Sequence, residues 1–485
     1  MTSRGLTKIQ TVLFGAVATP AVIAFLYYLF SALTTPFEVN YGEGTTLYLA
    51  SNLGQLYKPL EEAPHILSIY PPIYPAVVAA VKEVTGGPFL AGRIVSLCSA
   101  ITASVLLAVT VAQLRNNEDR TISALIGVLF LLSPIVGFKF GLFARVDMLG
   151  IAFGTVAIVW YYRAEGVART VGVSLALILM LFTKQNLVAL PMALVGTEFL
   201  ERRYRSGLGI SILTGVGGLL LLGILVFVTG GAAWMHLVEY NQSISFSIYR
   251  SAVRMVRFLA LVSPLLVAIA VATWFHVDSF ESVPTFPVVY VGIAAPVTAF
   301  LLTRSGTSLN HTLELLLAVH LFAGVIVPRL GGKLRNSGVD TRHVVGVLIA
   351  AQLLLPAVAA VTVLAPIQPA AGAEVTADAI SDVKRPILTS DVGLAVHNDQ
   401  SLVTNDPLLL TQLARQGIWD DESLATRLSP KEIPCIVLQT QIPENSQRVE
   451  LPRIYETIRE NYEVAAHTGD YWIYASNTRD TTCGV

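Results

Sequence analysis

Asn40-Tyr41-Gly42-Glu43-Gly44 follows directly on an apolar run from about 10 to 33, and that junction decides how the chain is read. A carboxylate at the mouth of a bilayer is costly unless it is solvated, paired or functional. Of the 485 residues, 54% are hydrophobic and only 13% charged, whereas soluble globules carry about a quarter of their positions as charges. The composition is that of a polytopic membrane protein. A net charge of -1 supplies no basic face for nucleic acid, which is excluded as a main partner.

Outward from that loop, further apolar spans fall near 90–112, 121–139, 147–162, 171–183, 187–200, 208–231, 255–275, 286–303, 312–328 and 343–365. With 10–33 they make about eleven helices. The first follows Arg4 and Lys8 and has no clear small-residue cleavage site, so it reads as a retained anchor. If the N-terminus is cytoplasmic, the cytoplasmic turns hold Arg115, Arg120, Arg163, Arg169, the Arg202-Arg203 and Arg205 cluster, Arg329, Lys333, Arg335 and Arg342. This agrees with the positive-inside rule. The opposite face nevertheless carries Lys139, Arg145, Lys184, Arg250, Arg254, Arg257 and Arg304, which the rule does not predict. Cations there suggest an anion at the outer surface.

An odd number of spans puts the polar tail outside, so the chain divides into a membrane module, 1–366, and a small extracytoplasmic α/β domain, 367–485. In the tail, 385–391 and 434–439 look like strands, 406–415 has helical spacing, and 463–474 reads as a hairpin around Thr468-Gly469-Asp470. Cys435 and Cys483 can pair if this domain meets an oxidising compartment. No P-loop, HExxH or GxSxG appears on it, which leaves a structural or acceptor-docking role. The first outer loop, about 34 to 89, is long enough to expect a function. Thr45 to Leu56 has an uneven apolar face that suits a helix lying along the interface, and Tyr70-Pro71-Pro72 opens a second, half-buried helix.

In order along the outer face stand Tyr41-Gly42-Glu43-Gly44, the Tyr-Pro-Pro start at Tyr70, Ala91-Gly92-Arg93, Phe143-Ala144-Arg145-Val146-Asp147-Met148-Leu149, Phe182-Thr183-Lys184-Gln185-Asn186, and Gly306, Asn310 and Glu314. In these pieces, over roughly 10 to 330, the chain resembles the polyprenyl-phosphate-sugar-dependent glycosyltransferases of the GT-C fold. These include protein O-mannosyltransferases (glycosyltransferase family 39) and the aminoarabinose transferases that modify lipid A. The resemblance implies a multi-pass enzyme of the cell membrane that moves a sugar from a polyprenyl-phosphate donor to a glycan, lipid or protein acceptor, with inversion. One departure stands out: the family's first loop commonly carries an Asp-Glu pair, and here Gly42-Glu43 leaves one acid. Glu43 then takes the role of base alone, with Asp147 as second carboxylate. Ile69-Tyr70 replaces the acidic-basic pair that precedes the double proline in the aminoarabinose transferases and serves metal and phosphate there.

The residues carry this chemistry on physical grounds as well. A sugar on a lipid phosphate already has a good leaving group, so transfer needs a base for the acceptor hydroxyl and cations for the departing phosphate. Arg93, Arg145, Lys184, Arg250, Arg254 and Arg257 are the phosphate candidates, with Tyr70 and Asn310 beside the substrate, and His311 with Glu314 as ligands for a possible divalent metal. The plain alternatives are a solvated loop acid for Glu43, a helix-start acid for Asp147 and interface snorkelling for Lys184 and Arg93. Arg250, Arg254 and Arg257 lie on one helical face and suit lipid headgroups, and His311 with Glu314 suits a helix cap. The rival functions are a secondary transporter or flippase, which would place ionisable residues inside its spans, and a scaffold for the outer domain.

Overall fold

The computed structural model of the chain describes residues 19–327, 352, 354 and 368–483, apart from 21, 60–61, 64, 116–119, 243–245, 277–282, 305, 429–431, 443–450 and 478–482. The helix α1 (Val22–Thr34) leads into the first outer loop. That loop holds α2 (Glu43–Ser51) and α3 (Ile73–Thr85), and the bundle continues through α4 (Pro88–Leu114), α5 (Arg120–Leu131), α6 (Asp147–Arg163), α7 (Gly166–Leu181), α8 (Ala189–Leu200) and α9 (Tyr204–Val228). Helices Ile248–Leu261, Ser263–His276, Thr285–Leu301 and Leu313–Ile326 complete its described part.

Pro88 begins α4 where a first turn would leave its N–H without a partner anyway. Along α4 the buried Ala91, Gly92, Ser96, Ser99, Ala100 and Ala103 are small, so α6 comes close. In lipid no hydrophobic force draws helices together, and such close packing binds them instead. Gly92 is the tightest point: a Cβ there would lie 2.6 Å from Ala144 Cβ and 2.7 Å from Leu47 Cδ2. At the other end of α6, Glu198 of α8 accepts from the Tyr161 hydroxyl at 2.6 Å, from Arg169 at 3.3 Å and from Arg203 at 2.8 Å, tying α6 to α9 together. Helix Leu313–Ile326 is buried throughout, whereas α9 exposes Leu219, Leu220, Phe227 and Val228 at the periphery.

Among the described residues, Pro88–Leu114, Tyr204–Val228 and Leu309–Ile326 are long and apolar enough to cross a membrane, and Ile248–Leu261 with Ser263–Trp274 forms a fourth candidate bent by 74°. The expected spans from 90 to 328 all fall on helical segments, but several are short, the α-helix at 121–139 ends at Leu131, and 255–275 is split between Ile248–Leu261 and Ser263–His276; the span at 343–365 lies outside the described residues save Gln352 and Leu354. The expectation for α2 needs correction. Instead of lying on the membrane it is buried from Glu43 to Ala50, because it is covered by α3, α4 and the tail, and its polar Glu43 and Thr46 are hydrogen-bonded inside the protein.

The tail forms a four-stranded sheet in the order β1-β2-β4-β3, from β1 (Leu388–Thr389), β2 (Cys435–Leu438), β3 (Tyr462–Thr468) and β4 (Tyr471–Ser476). β1 runs parallel to β2, and β3 and β4 form the expected hairpin. Helix Pro407–Arg415 falls where the spacing put it, with Asp406 accepting from Leu409 N at 3.0 Å as its N-cap. The tail's inner face shares one apolar core with the outer loop: Leu47, Tyr48, Tyr74 and Phe89 pack with Ala377, Ile380, Val392 and Ile473. Asn405 bonds Leu67 on both sides, accepting its N–H at 2.7 Å and donating to its carbonyl at 2.9 Å.

Cys435 and Cys483 are joined by a disulfide that closes a loop of 48 residues and crosslinks β2 to the C-terminal segment. On the chain-entropy argument a loop of this length is worth about 4 kcal/mol. The Cys435→Ala/Cys483→Ala double variant is therefore expected to expose the tail to protease at a clearly lower urea concentration than wild type. Unchanged protection in the purified protein would show that the crosslink contributes nothing.

Candidate functional site

Gly42 turns the loop with a φ of 99°, which sets α2 running inward from Glu43. Glu43 is fully buried, and Arg93, from the first turns of α4, meets it in a two-pronged ion pair: Nε to Oε1 at 3.0 Å and Nη2 to Oε2 at 2.9 Å. The remaining Arg93 donors go to the carbonyls of Ala32 at 2.6 Å, Phe37 at 2.7 Å and Thr35. Glu43 Oε1 also accepts from Ala144 N at 2.7 Å, and Oε2 from Val39 N at 3.0 Å. This corrects the reading of both residues. Each Glu43 oxygen already accepts two hydrogen bonds and none of them is to solvent, so the side chain is a brace and is not placed to take a proton from an acceptor; Arg93 is equally committed.

One residue beyond Ala144, the chemistry changes character. Arg145 donates through Nη1 to Tyr41 O at 2.8 Å and Asn40 Oδ1 at 3.3 Å, and a Cβ on Gly42 would lie 2.4 Å from that nitrogen. Asp147 opens α6, where the helix dipole favours an acid. Its Oδ1 accepts from Lys184 Nζ, in the turn between α7 and α8, and from Asn310 Nδ2 at 2.9 Å, in the 3₁₀ turn before Leu313–Ile326. Its Oδ2 faces Arg145 Nε at 3.7 Å, and neither of these buried atoms has a hydrogen-bond partner among the described residues. Asp147 and Lys184 are fully enclosed, while the Arg145 side chain is 14% exposed and reaches the surface of the cluster.

Tyr70 stands beside this group, close enough for its hydroxyl to feel both Arg145 and Asp147. The other expected residues lie elsewhere. Arg254 Nη1 closes a loop by donating to Leu302 O at 2.8 Å, Arg304 O at 3.0 Å and Thr307 Oγ1 at 2.6 Å, while Arg250 and Arg257 are exposed on the same helix. Arg257 lies close enough for its charge to act on Lys139. Glu314 caps α8, accepting from Ala189 N at 3.3 Å and Leu190 N at 2.9 Å, and His311 Nδ1 lies 3.3 Å from Asn186 Nδ2. With the Glu314 oxygens so occupied, and no group of three His, Cys, Asp or Glu gathered among the described residues, His311 and Glu314 do not fit a metal site.

Sequence alone gives Glu38 and Asp406 no place at this site, and it brings in Tyr41 only as part of the loop motif. Glu38 accepts from Gly44 N at 2.9 Å, and its burial, with Asp391 and Glu43 nearby, pushes its carboxyl well above the ordinary range. It stands in the same loop as Glu43, which is the one signal that could have found it. Tyr41 and Asp406 bond to each other at 2.8 Å across 365 positions, a pairing with no sequence signal at all.

No family model matches the chain, and no curated protein matches it in sequence. Solved structures do share its fold. The crystal structure of ArnT from Cupriavidus metallidurans bound to undecaprenyl phosphate is 14% identical, with a TM-score of 0.64 over 96% of this chain and 98% of that one. The apo state of the same protein gives 0.58 at 14% identity, over 95% and 98%. The GT-C-like architecture expected from the ordered outer motifs is the one found.

The brace makes a prediction of its own. Removing one partner of a buried, hydrogen-bonded ion pair leaves an uncompensated charge and costs about 3–5 kcal/mol. Arg93→Met and Glu43→Gln are both expected to lower the melting temperature in detergent markedly. A Glu43→Gln protein that melts like wild type would remove the brace assignment.

Proposed function

We propose that the chain transfers a sugar from a polyprenyl-phosphate donor to an acceptor hydroxyl at the outer face of the membrane, with Asp147 as general base. One observation carries this reading: a buried carboxylate has one oxygen gripped by Lys184 and Asn310, while the other, paired only by charge with Arg145 Nε at 3.7 Å, accepts no hydrogen bond among the described residues. A base needs a lone pair aimed at the reacting hydroxyl. Asp147 Oδ2 keeps lone pairs that no hydrogen bond among the described residues takes up, whereas both Glu43 oxygens are filled. The fold supports the donor class, since a protein of the same fold is the one crystallised with undecaprenyl phosphate.

In the proposed reaction the acceptor O–H gives its proton to Asp147 Oδ2 as its oxygen attacks the anomeric carbon. The bond from that carbon to the phosphate oxygen breaks, and the lipid phosphate leaves with the electron pair. Attack opposite the leaving group inverts the centre. Arg145 and Lys184 offset the charge that builds on the phosphate, in a site where burial makes that interaction strong. Lys184 keeps two N–H groups beyond the one given to Asp147. Asn310 and Lys184 also hold the Asp147 carboxylate in one rotamer, so that Oδ2 does not turn away. The lipid tail stays in the bilayer, which is why a helical bundle carries the site. The Lys and Arg distribution and the tail's disulfide both support a cytoplasmic N-terminus and an outer tail.

Asp147→Asn is expected to slow transfer by about 10²- to 10⁴-fold, the range for losing a general base, while polyprenyl-phosphate binding persists. Lys184→Gln is expected to weaken that binding by about 1.5–3 kcal/mol. Arg163, at the far end of α6 and about 24 Å away by helical rise, is the control and its replacement changes neither. Turnover of purified Asp147→Asn at the wild-type rate would reject the assignment.

A further inference from the structure

We propose that Tyr41 and Asp406 are positioning residues through which the C-terminal domain sets the place of Arg145 at the site. The inference rests on the phosphate-binding reading of Arg145 given above. The connection runs through hydrogen bonds at both ends of Tyr41 and then through the Arg145–Asp147 ion pair. Asp406, the N-cap of helix Pro407–Arg415, accepts from the Tyr41 hydroxyl at 2.8 Å, and that hydroxyl accepts from Leu408 N at 3.1 Å. The Tyr41 carbonyl in turn accepts from Arg145 Nη1 at 2.8 Å, and Arg145 stands 3.7 Å from Asp147.

Two features show that this line does more than seal an interface. Tyr41 is 40% exposed, and its buried tip is held twice, donating to Asp406 and accepting from Leu408 N. A partly exposed side chain held at its tip relies on those bonds to keep its backbone in place. Gly42 is the second feature: at its φ of 99° a side chain would strike Arg145 Nη1, so the Tyr41 carbonyl, the Gly42 backbone and the Asn40 side-chain oxygen form a close-fitting seat for the guanidinium. Its two backbone parts have no rotamers to adjust. If the loop shifts, Arg145 shifts with it, and the gap between Nε and Asp147 Oδ2 changes. The paired Asn405–Leu67 bonds hold the same stretch of the tail against the outer loop, so the anchor itself is rigid.

The test measures binding of undecaprenyl phosphate to the full-length protein in detergent, with Tyr41→Phe and Asp406→Ser each made alone and combined with Arg145→Gln. Serine keeps a capping oxygen for the helix but is too short to reach Tyr41, so the helix survives while the tether is cut. Each single variant is expected to raise the Kd about fivefold, the order of one lost hydrogen bond, with the melting temperature close to wild type. In the Arg145→Gln background the same changes are expected to have no further effect. Unchanged Kd in the single variants overturns the proposal, and so does an equal loss in both backgrounds, which would mark a general loosening. If Arg145→Gln and Lys184→Gln themselves bind as wild type, the phosphate-binding reading fails instead, and the two failures are told apart by those controls.

Discussion

The half of this protein that holds the candidate site depends on one buried ion pair, Arg93 with Glu43. A pair removed from water gains stability only if its geometry is good and its remaining donors and lone pairs are filled. Both conditions hold: the two side chains meet with two parallel bonds, three carbonyls take the other guanidinium protons, and two backbone N–H groups fill the carboxylate. Those partners come from the end of α1, the first loop, α2, α4 and the segment before α6. The pair thereby fixes the backbone of Ala144, and with it the direction in which Arg145 and Asp147 leave the chain.

That arrangement explains a division of labour between two acids that look alike in sequence. Glu43 and Asp147 each follow an apolar run and each open a helix, yet one is saturated and the other keeps an oxygen without a hydrogen bond among the described residues. The difference arises from geometry rather than residue type. Arg93 is inside hydrogen-bond range of both Glu43 oxygens, whereas Arg145 is pulled toward the Tyr41 carbonyl and stops 3.7 Å from Asp147.

Much of the architecture was legible in the residues. The apolar runs placed the helices, the double proline placed α3, and alternation placed the β3–β4 hairpin, because these signals are local and periodic. The order of short motifs brought Arg145, Asp147, Lys184 and Asn310 into view, and the structure gathers these four in one cluster. What stayed hidden was which charges meet. Arg93 read as a phosphate ligand because nothing in Ala91-Gly92-Arg93 shows that the carbonyls of Ala32, Thr35 and Phe37 converge on it. His311 and Glu314 read as metal ligands because the capping of α8 by Glu314 spans about 125 positions and leaves no trace in spacing. The burial of α2 was missed for a similar reason, since the helix that covers it, Val392–His397, belongs to the tail.

The central claim is that Asp147, and not Glu43, faces the reacting atoms. A cryo-EM structure of the full chain in nanodiscs with undecaprenyl phosphate tests it most directly. The account predicts a phosphate oxygen at about 3 Å from Lys184 Nζ or the Arg145 guanidinium, with Glu43 still locked to Arg93. A phosphate bound elsewhere, or a Glu43 released from Arg93 and turned toward the lipid, would contradict it.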